Sequence, residues 1–68
     1  MAFDKMAFDT AIKQRGLKFT AIAGMLGVSD TTFRNKRNGA TDFSLTEITT
    51  LTDVLNLTLA ERNRIFFA

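Results

Sequence analysis

Residues 17–39 read Leu-Lys-Phe-Thr-Ala-Ile-Ala-Gly-Met-Leu-Gly-Val-Ser-Asp-Thr-Thr-Phe-Arg-Asn-Lys-Arg-Asn-Gly. Phe19, Ile22, Ala23 and Leu26 recur at i, i+3, i+4 and i+7, which predicts a helix from Phe19 to Leu26. Gly27 ends it. Ser29 is a good N-cap for a second helix over Asp30–Arg37, and Val28 and Phe33 have the N′/N4 spacing of a hydrophobic staple. Asn38-Gly39 stops that helix. Two short helices meeting across a tight turn need a small residue at their crossing, a glycine where φ turns positive, and an apolar residue locking the second helix to the first. Ala23, Gly27 and Phe33 supply these in order, four and six residues apart.

Working outward, a first helix is expected from about residue 4 to Arg15. Phe8, Ala11 and Ile12 form its apolar face, Phe3 and Met6 stand near its entry, and Gly16 is its left-handed cap. Ser44-Leu45-Thr46-Glu47 is a capping box for a fourth helix, with Phe43 and Ile48 as staple and Leu51 and Leu55 continuing the stripe. Thr58-Leu59-Ala60-Glu61 is a second box, opening a short fifth helix that carries Leu59, Ile65 and Phe66. Proline is absent, and the threonines do not alternate with apolar residues as a strand requires. The doublet Met-Ala-Phe-Asp at 1–4 and 6–9 is too short for a structural repeat. The expectation is one all-α domain over residues 1–68, with Phe8, Ile22, Phe33, Phe43, Leu51 and Leu55 in its core. Gly24 costs its helix about 1 kcal/mol relative to Ala, and close approach of another backbone would account for it.

A chain of 68 residues with 46% apolar residues is long enough for one small core and too apolar for disorder. It contains no Cys and no His, which removes disulfides, thiolate sites, the commonest metal ligand and the usual catalytic base. Without Tyr or a glycine-rich phosphate loop, nothing calls for an enzyme or a cofactor. No apolar run approaches the roughly 20 residues that span a bilayer, and the N-terminus does not read as a signal peptide. The expected location is the cytoplasm. The net charge of +2 is unevenly placed. Six cations and one acid between Lys13 and Arg37 give that segment +5, while three cations and six acids give the remainder −3. Such a segment suits a polyanionic partner or, equally, a solvated face.

Leu17, Ile22-Ala23, Leu26-Gly27-Val28-Ser29, Thr32-Phe33 and Gly39 resemble the Cro and repressor helix-turn-helix family of temperate phages. Asn35-Lys36-Arg37-Asn38-Gly39, Phe43-Ser44-Leu45, Glu47-Ile48 and Ile65-Phe66-Phe67 are similar to short Cro-like regulators from phages of Gram-positive bacteria. The resemblance covers about residues 8 to 67. It implies a five-helix lambda-repressor-like domain in a bacterial host cytoplasm, whose third helix enters the DNA major groove while the second crosses the backbone. Its implied base-reading residues are Asp30, Thr31, Arg34 and Asn35. Arg can read guanine, Asn adenine, Asp the cytosine amino group, and Thr a thymine methyl or a phosphate. Asp30 alternatively serves the helix dipole alone. Lys13, Lys18, Lys36, Arg37 and Asn38 are the implied phosphate contacts, with Lys36 and Arg37 also favourable near a helix C-terminus.

The implied partner is a double-stranded operator. Two copies, pairing weakly or only on DNA, would sit about 34–36 Å apart. The chain departs from the family at Lys18-Phe19, where many relatives carry Thr-Gln, and at Lys36, where an aromatic is usual. Phe19 cannot bond a phosphate as the glutamine does. Phe19, Phe66 and Phe67 are therefore candidate protein-interface residues, because one short amphipathic face is not expected to bury the whole C-terminal cluster. They motivate the alternative, a small phage modulator that holds a cognate repressor protein in place of DNA.

Overall fold

The computed structural model describes residues 3–67, and the chain there forms five helices. They are α1 (Lys5–Gln14), α2 (Phe19–Leu26), α3 (Asp30–Arg37), α4 (Leu45–Val54) and α5 (Leu59–Phe66). The first two residues of the Met-Ala-Phe-Asp doublet, and position 68, lie outside the described residues.

Local chemistry starts the helices. The Ser29, Ser44 and Thr58 hydroxyls accept from the N–H groups of Thr32, Glu47 and Glu61, satisfying donors a helix start leaves free. Both capping boxes are complete, since the Glu47 and Glu61 carboxylates accept in return from the Ser44 and Thr58 N–H groups at 2.8 and 3.0 Å. Asp4 caps α1 by accepting from the Ala7 N–H at 3.0 Å. Lys18 precedes α2 without a side-chain cap.

The ends of α1, α2, α3 and α4 share one device. After Gly27 at φ +72°, the Val28 N–H reaches back to the Ala23 carbonyl at 3.1 Å. Leu17 bonds Ile12, Ala40 bonds Asn35 and Leu57 bonds Thr52 in the same way, each following a residue of positive φ. At the end of α4 that residue is Asn56, at φ +49°. Asparagine tolerates the left-handed region better than other side chains, and this stop carries no glycine to signal it.

Each helix contributes to one core of Phe8, Ala11, Ile12, Ile22, Ala23, Phe33, Phe43, Ile48, Leu51, Leu55, Leu57, Ile65 and Phe66. The expected core residues are all in it. Its centre is aromatic, with the Phe8, Phe33, Phe43 and Phe66 rings neighbouring one another at 5.6–6.2 Å between centroids, Phe8 and Phe43 being the nearest pair. Phe3 closes this cluster from outside α1, 5.3 Å from Phe8 and 5.4 Å from Phe43.

The packing corrects the expectations for Phe66 and Gly24 and leaves two apolar side chains, Leu59 and Met6, outside the core. Phe66 is only 4% exposed, because its ring fits among Phe3, Phe8 and Phe43, so it cannot serve a surface. Leu59 is 65% exposed: as the first residue of α5 it lies beyond the reach of the core. Met6 projects into solvent, since the aromatic cluster is filled by Phe3 and Phe8. Nothing lies within 4 Å of where a Cβ on Gly24 would stand, so no close approach explains that glycine.

Candidate functional site

α3 carries one buried side chain, Phe33. Asp30, Thr31, Arg34 and Asn35 are exposed along its length, so the four implied base-reading residues share the solvent-facing part of one helix. This distribution follows from the sequence Asp-Thr-Thr-Phe-Arg-Asn-Lys-Arg, in which Phe33 is the single apolar residue and draws only its own side of the helix onto the core. The short connection Gly27-Val28-Ser29 brings α2 alongside α3, and Phe19, Thr20, Asp30, Phe33, Arg34 and Arg37 line a cleft of about 320 Å³ between them. Asp30 stands in the first turn of α3, while Arg34, Lys36 and Arg37 lie toward its C-terminus, which suits the helix dipole at both ends.

The implied phosphate contacts divide into two kinds. Lys13 and Lys18 are exposed, and neither forms an ion pair among the described residues. Arg34 is likewise exposed and unpaired there. Asn38 is exposed as the C-cap of α3.

Lys36 and Arg37 are instead committed within the domain. The Lys36 ammonium donates to Glu47 Oε1 at 2.8 Å and to the Asp42 carbonyl at 3.1 Å. The Arg37 guanidinium donates through two nitrogens to the two oxygens of Asp9, at 2.8 and 2.9 Å. It also lies over the Phe19 ring, 4.2 Å from the centroid. Arg15 completes the pattern: it bonds the Leu55 carbonyl and pairs with Glu61 at 3.4 Å. Three of the six cations between Lys13 and Arg37 are thus paired with acids from outside that segment. Periodicity could not reveal this, because Asp9 and Arg37 lie 28 residues apart and Arg15 and Glu61 lie 46 apart.

These contacts also set the carboxylates. Burial alone would raise the Glu47 carboxyl, but hydrogen bonds from Lys36 and Ser44 and the Lys36 charge outweigh it and hold the group below its ordinary value. The hydrogen bond from the Thr58 N–H is the main reason the Glu61 carboxyl is lowered, with Arg15 assisting.

Of the candidate interface residues, Phe19 is 38% exposed, with Arg37 over its ring and Phe33 at 6.1 Å on the core side. Phe67 is 36% exposed with the Arg62 guanidinium 5.5 Å from its ring. α2 exposes Thr20, Ala21, Gly24 and Met25, none of them charged. Comparison with protein-family models, curated proteins and solved structures found no match to this chain.

Proposed function

We propose that this protein is a sequence-specific DNA-binding regulator, a Cro-like repressor that places α3 in the major groove. The observation that carries the reading is that α3 buries Phe33 alone and exposes Asp30, Thr31, Arg34 and Asn35 together. A helix entering a groove needs this: a firm seat on one side and hydrogen-bonding side chains on the rest. In this reading α2, Gly27-Val28-Ser29 and α3 form the helix-turn-helix, Arg34 reads guanine O6 and N7, and Asn35 reads adenine N6 and N7. Lys13, Lys18 and Asn38 hold phosphates, and Asp30 serves the helix N-terminus. Two copies on a near-palindromic operator complete the regulator, in a bacterial cytoplasm.

The test is selection of preferred duplexes from a random pool, followed by titration of wild type and Arg34→Ala. Loss of Arg34 is expected to weaken the selected duplex by about 1–3 kcal/mol and relax the choice at one base pair, with a clearly smaller loss on random duplex. Equal weakening on both would remove Arg34 as a reading residue.

A second reading, a modulator that holds a partner repressor, is favoured by the uncharged outer face of α2, with Met25 exposed. Failure to bind any duplex, together with capture of the cognate repressor, would favour it over the first.

A further inference from the structure

We propose that the ion pairs Arg37–Asp9 and Lys36–Glu47 fix the rotation of α3 about its own axis, which makes Arg37 and Lys36 positioning residues for Arg34 rather than phosphate contacts. The proposal rests on the reading of α3 as the DNA-contacting helix.

A helix of eight residues with one buried side chain is poorly constrained. A single apolar peg resists lateral displacement, but it leaves the helix free to roll about the peg. Positions 36 and 37 stand three and four residues beyond Phe33, so they flank the peg on either side of the same face. They are separated by roughly 100° around the helix. From this pair of positions α3 is tied in two directions. Arg37 reaches α1 through the two parallel bonds to Asp9 and lies on α2 through the Phe19 ring. Lys36 reaches the start of α4 through Glu47 and the preceding loop through the Asp42 carbonyl. A roll in either sense lengthens one of these ties.

The ties are placed to matter. The side chains of Lys36 and Glu47 are 16% and 14% exposed, and those of Arg37 and Asp9 are 23% and 31%. Pairs withdrawn from water to this degree are less screened than pairs in open solvent. The two-pronged guanidinium–carboxylate contact also has a direction that a point charge lacks. Arg34 stands one turn before Arg37, and both line the cleft with Phe19 and Phe33. The orientation of Arg37 therefore bears directly on how Arg34 leaves the surface. Phe19 gains a role here as the platform under Arg37, where the sequence suggested only a partner surface.

The experiment uses the full chain and compares wild type, Arg37→Lys, and the exchanged pair Asp9→Arg with Arg37→Asp. Each is titrated with a duplex selected by the wild type and with random duplex, after circular dichroism has checked its helical content. Arg37→Lys keeps the charge and loses the fork and the flat stack. Its affinity for random duplex should stay within about two-fold of wild type, while its preference for the selected duplex falls roughly ten-fold. The exchanged pair should recover most of that preference, although it places a carboxylate at position 37.

The opposite pattern overturns the proposal. If Arg37 holds a phosphate, Arg37→Lys keeps full preference, and the exchanged pair, with an acid facing DNA, binds every duplex more weakly than Arg37→Lys or wild type. An exchanged pair that is helical and binds random duplex but recovers no preference also overturns it. In both cases the wild type still selects DNA and the DNA-binding reading stands. If the wild type selects no sequence, that reading falls first and this role falls with it.

Discussion

At the scale of single residues, exposure separates neighbours that look alike in sequence. Phe66 and Phe67 are adjacent aromatics, yet one is in the core and the other is the C-cap of α5 with 36% exposure. Phe66→Ser should cost about 3–5 kcal/mol, the usual range for emptying a buried phenylalanine site. Phe67→Ser should cost less than about 1 kcal/mol, since much of its ring already meets water. Thermal melts of the two variants side by side check this, and similar losses would place Phe67 in the core as well. Gly24 offers the converse case. Its surroundings are open, its φ is not positive, and it sits inside α2. Gly24→Ala should therefore raise stability by about 0.5–1 kcal/mol by lowering the entropy of the unfolded chain and improving helix propensity. A drop in melting temperature would mean that the glycine answers a need the isolated domain does not show.

Among the elements, α4 illustrates how one side chain serves two structures. Glu47 completes the capping box of α4 and also holds Lys36 at the end of α3. Its carboxyl is held below the ordinary value of 4.5, so the unfolded chain takes up a proton at higher pH than the folded one. The stabilisation is therefore fully present above about pH 4.5 and declines as the pH falls through the lower folded-state value. Melts from about pH 7 down to about pH 3 should show this acid loss, and Glu47→Gln should both lower the plateau and flatten the acid limb. An unchanged acid limb in that variant would assign the loss to other carboxylates, Glu61 first, because its lowered carboxyl acts in the same direction. Element ends were legible for local reasons: Ser29, Ser44, Thr58, Gly16, Gly27 and Gly39 act on backbone groups within a few residues of themselves. The end of α4 at Asn56 uses a weaker version of the same signal, since asparagine enters the left-handed region less readily than glycine, and so stood out less.

For the molecule as a whole, tertiary pairing changes the charge that DNA would meet. Five cations, Lys13, Lys18, Arg34, Lys36 and Arg37, stand on or near the proposed face, but the last two are paired with Glu47 and Asp9. If all five released counterions, log affinity would fall against log salt with a slope of about −4.5 per protomer. With only Lys13, Lys18 and Arg34 free, the expected slope is about −2.7. Titration of a random duplex across a salt series measures it directly. A slope at the steeper value would mean that Lys36 and Arg37 leave their acids on binding, and a flat response would favour the protein-partner reading.

The amino-acid sequence by itself determined the five helices, the turn at Gly27 and the central core residues. Caps, staples and helical periodicity act over three to seven residues, a range in which chain neighbours are spatial neighbours whatever the fold. It also placed Asp30, Thr31, Arg34 and Asn35 on one helix whose single apolar residue is Phe33. What only the tertiary structure decided is which side chains those helices leave to water. Phe66 went inside because four other parts of the chain supply Phe3, Phe8, Phe33 and Phe43 to the same cluster. Lys36 and Arg37 turned inward because α4 and α1 bring Glu47 and Asp9 to them. Both outcomes depend on how helices far apart in the chain pack together, and a local pattern of residues carries no record of that.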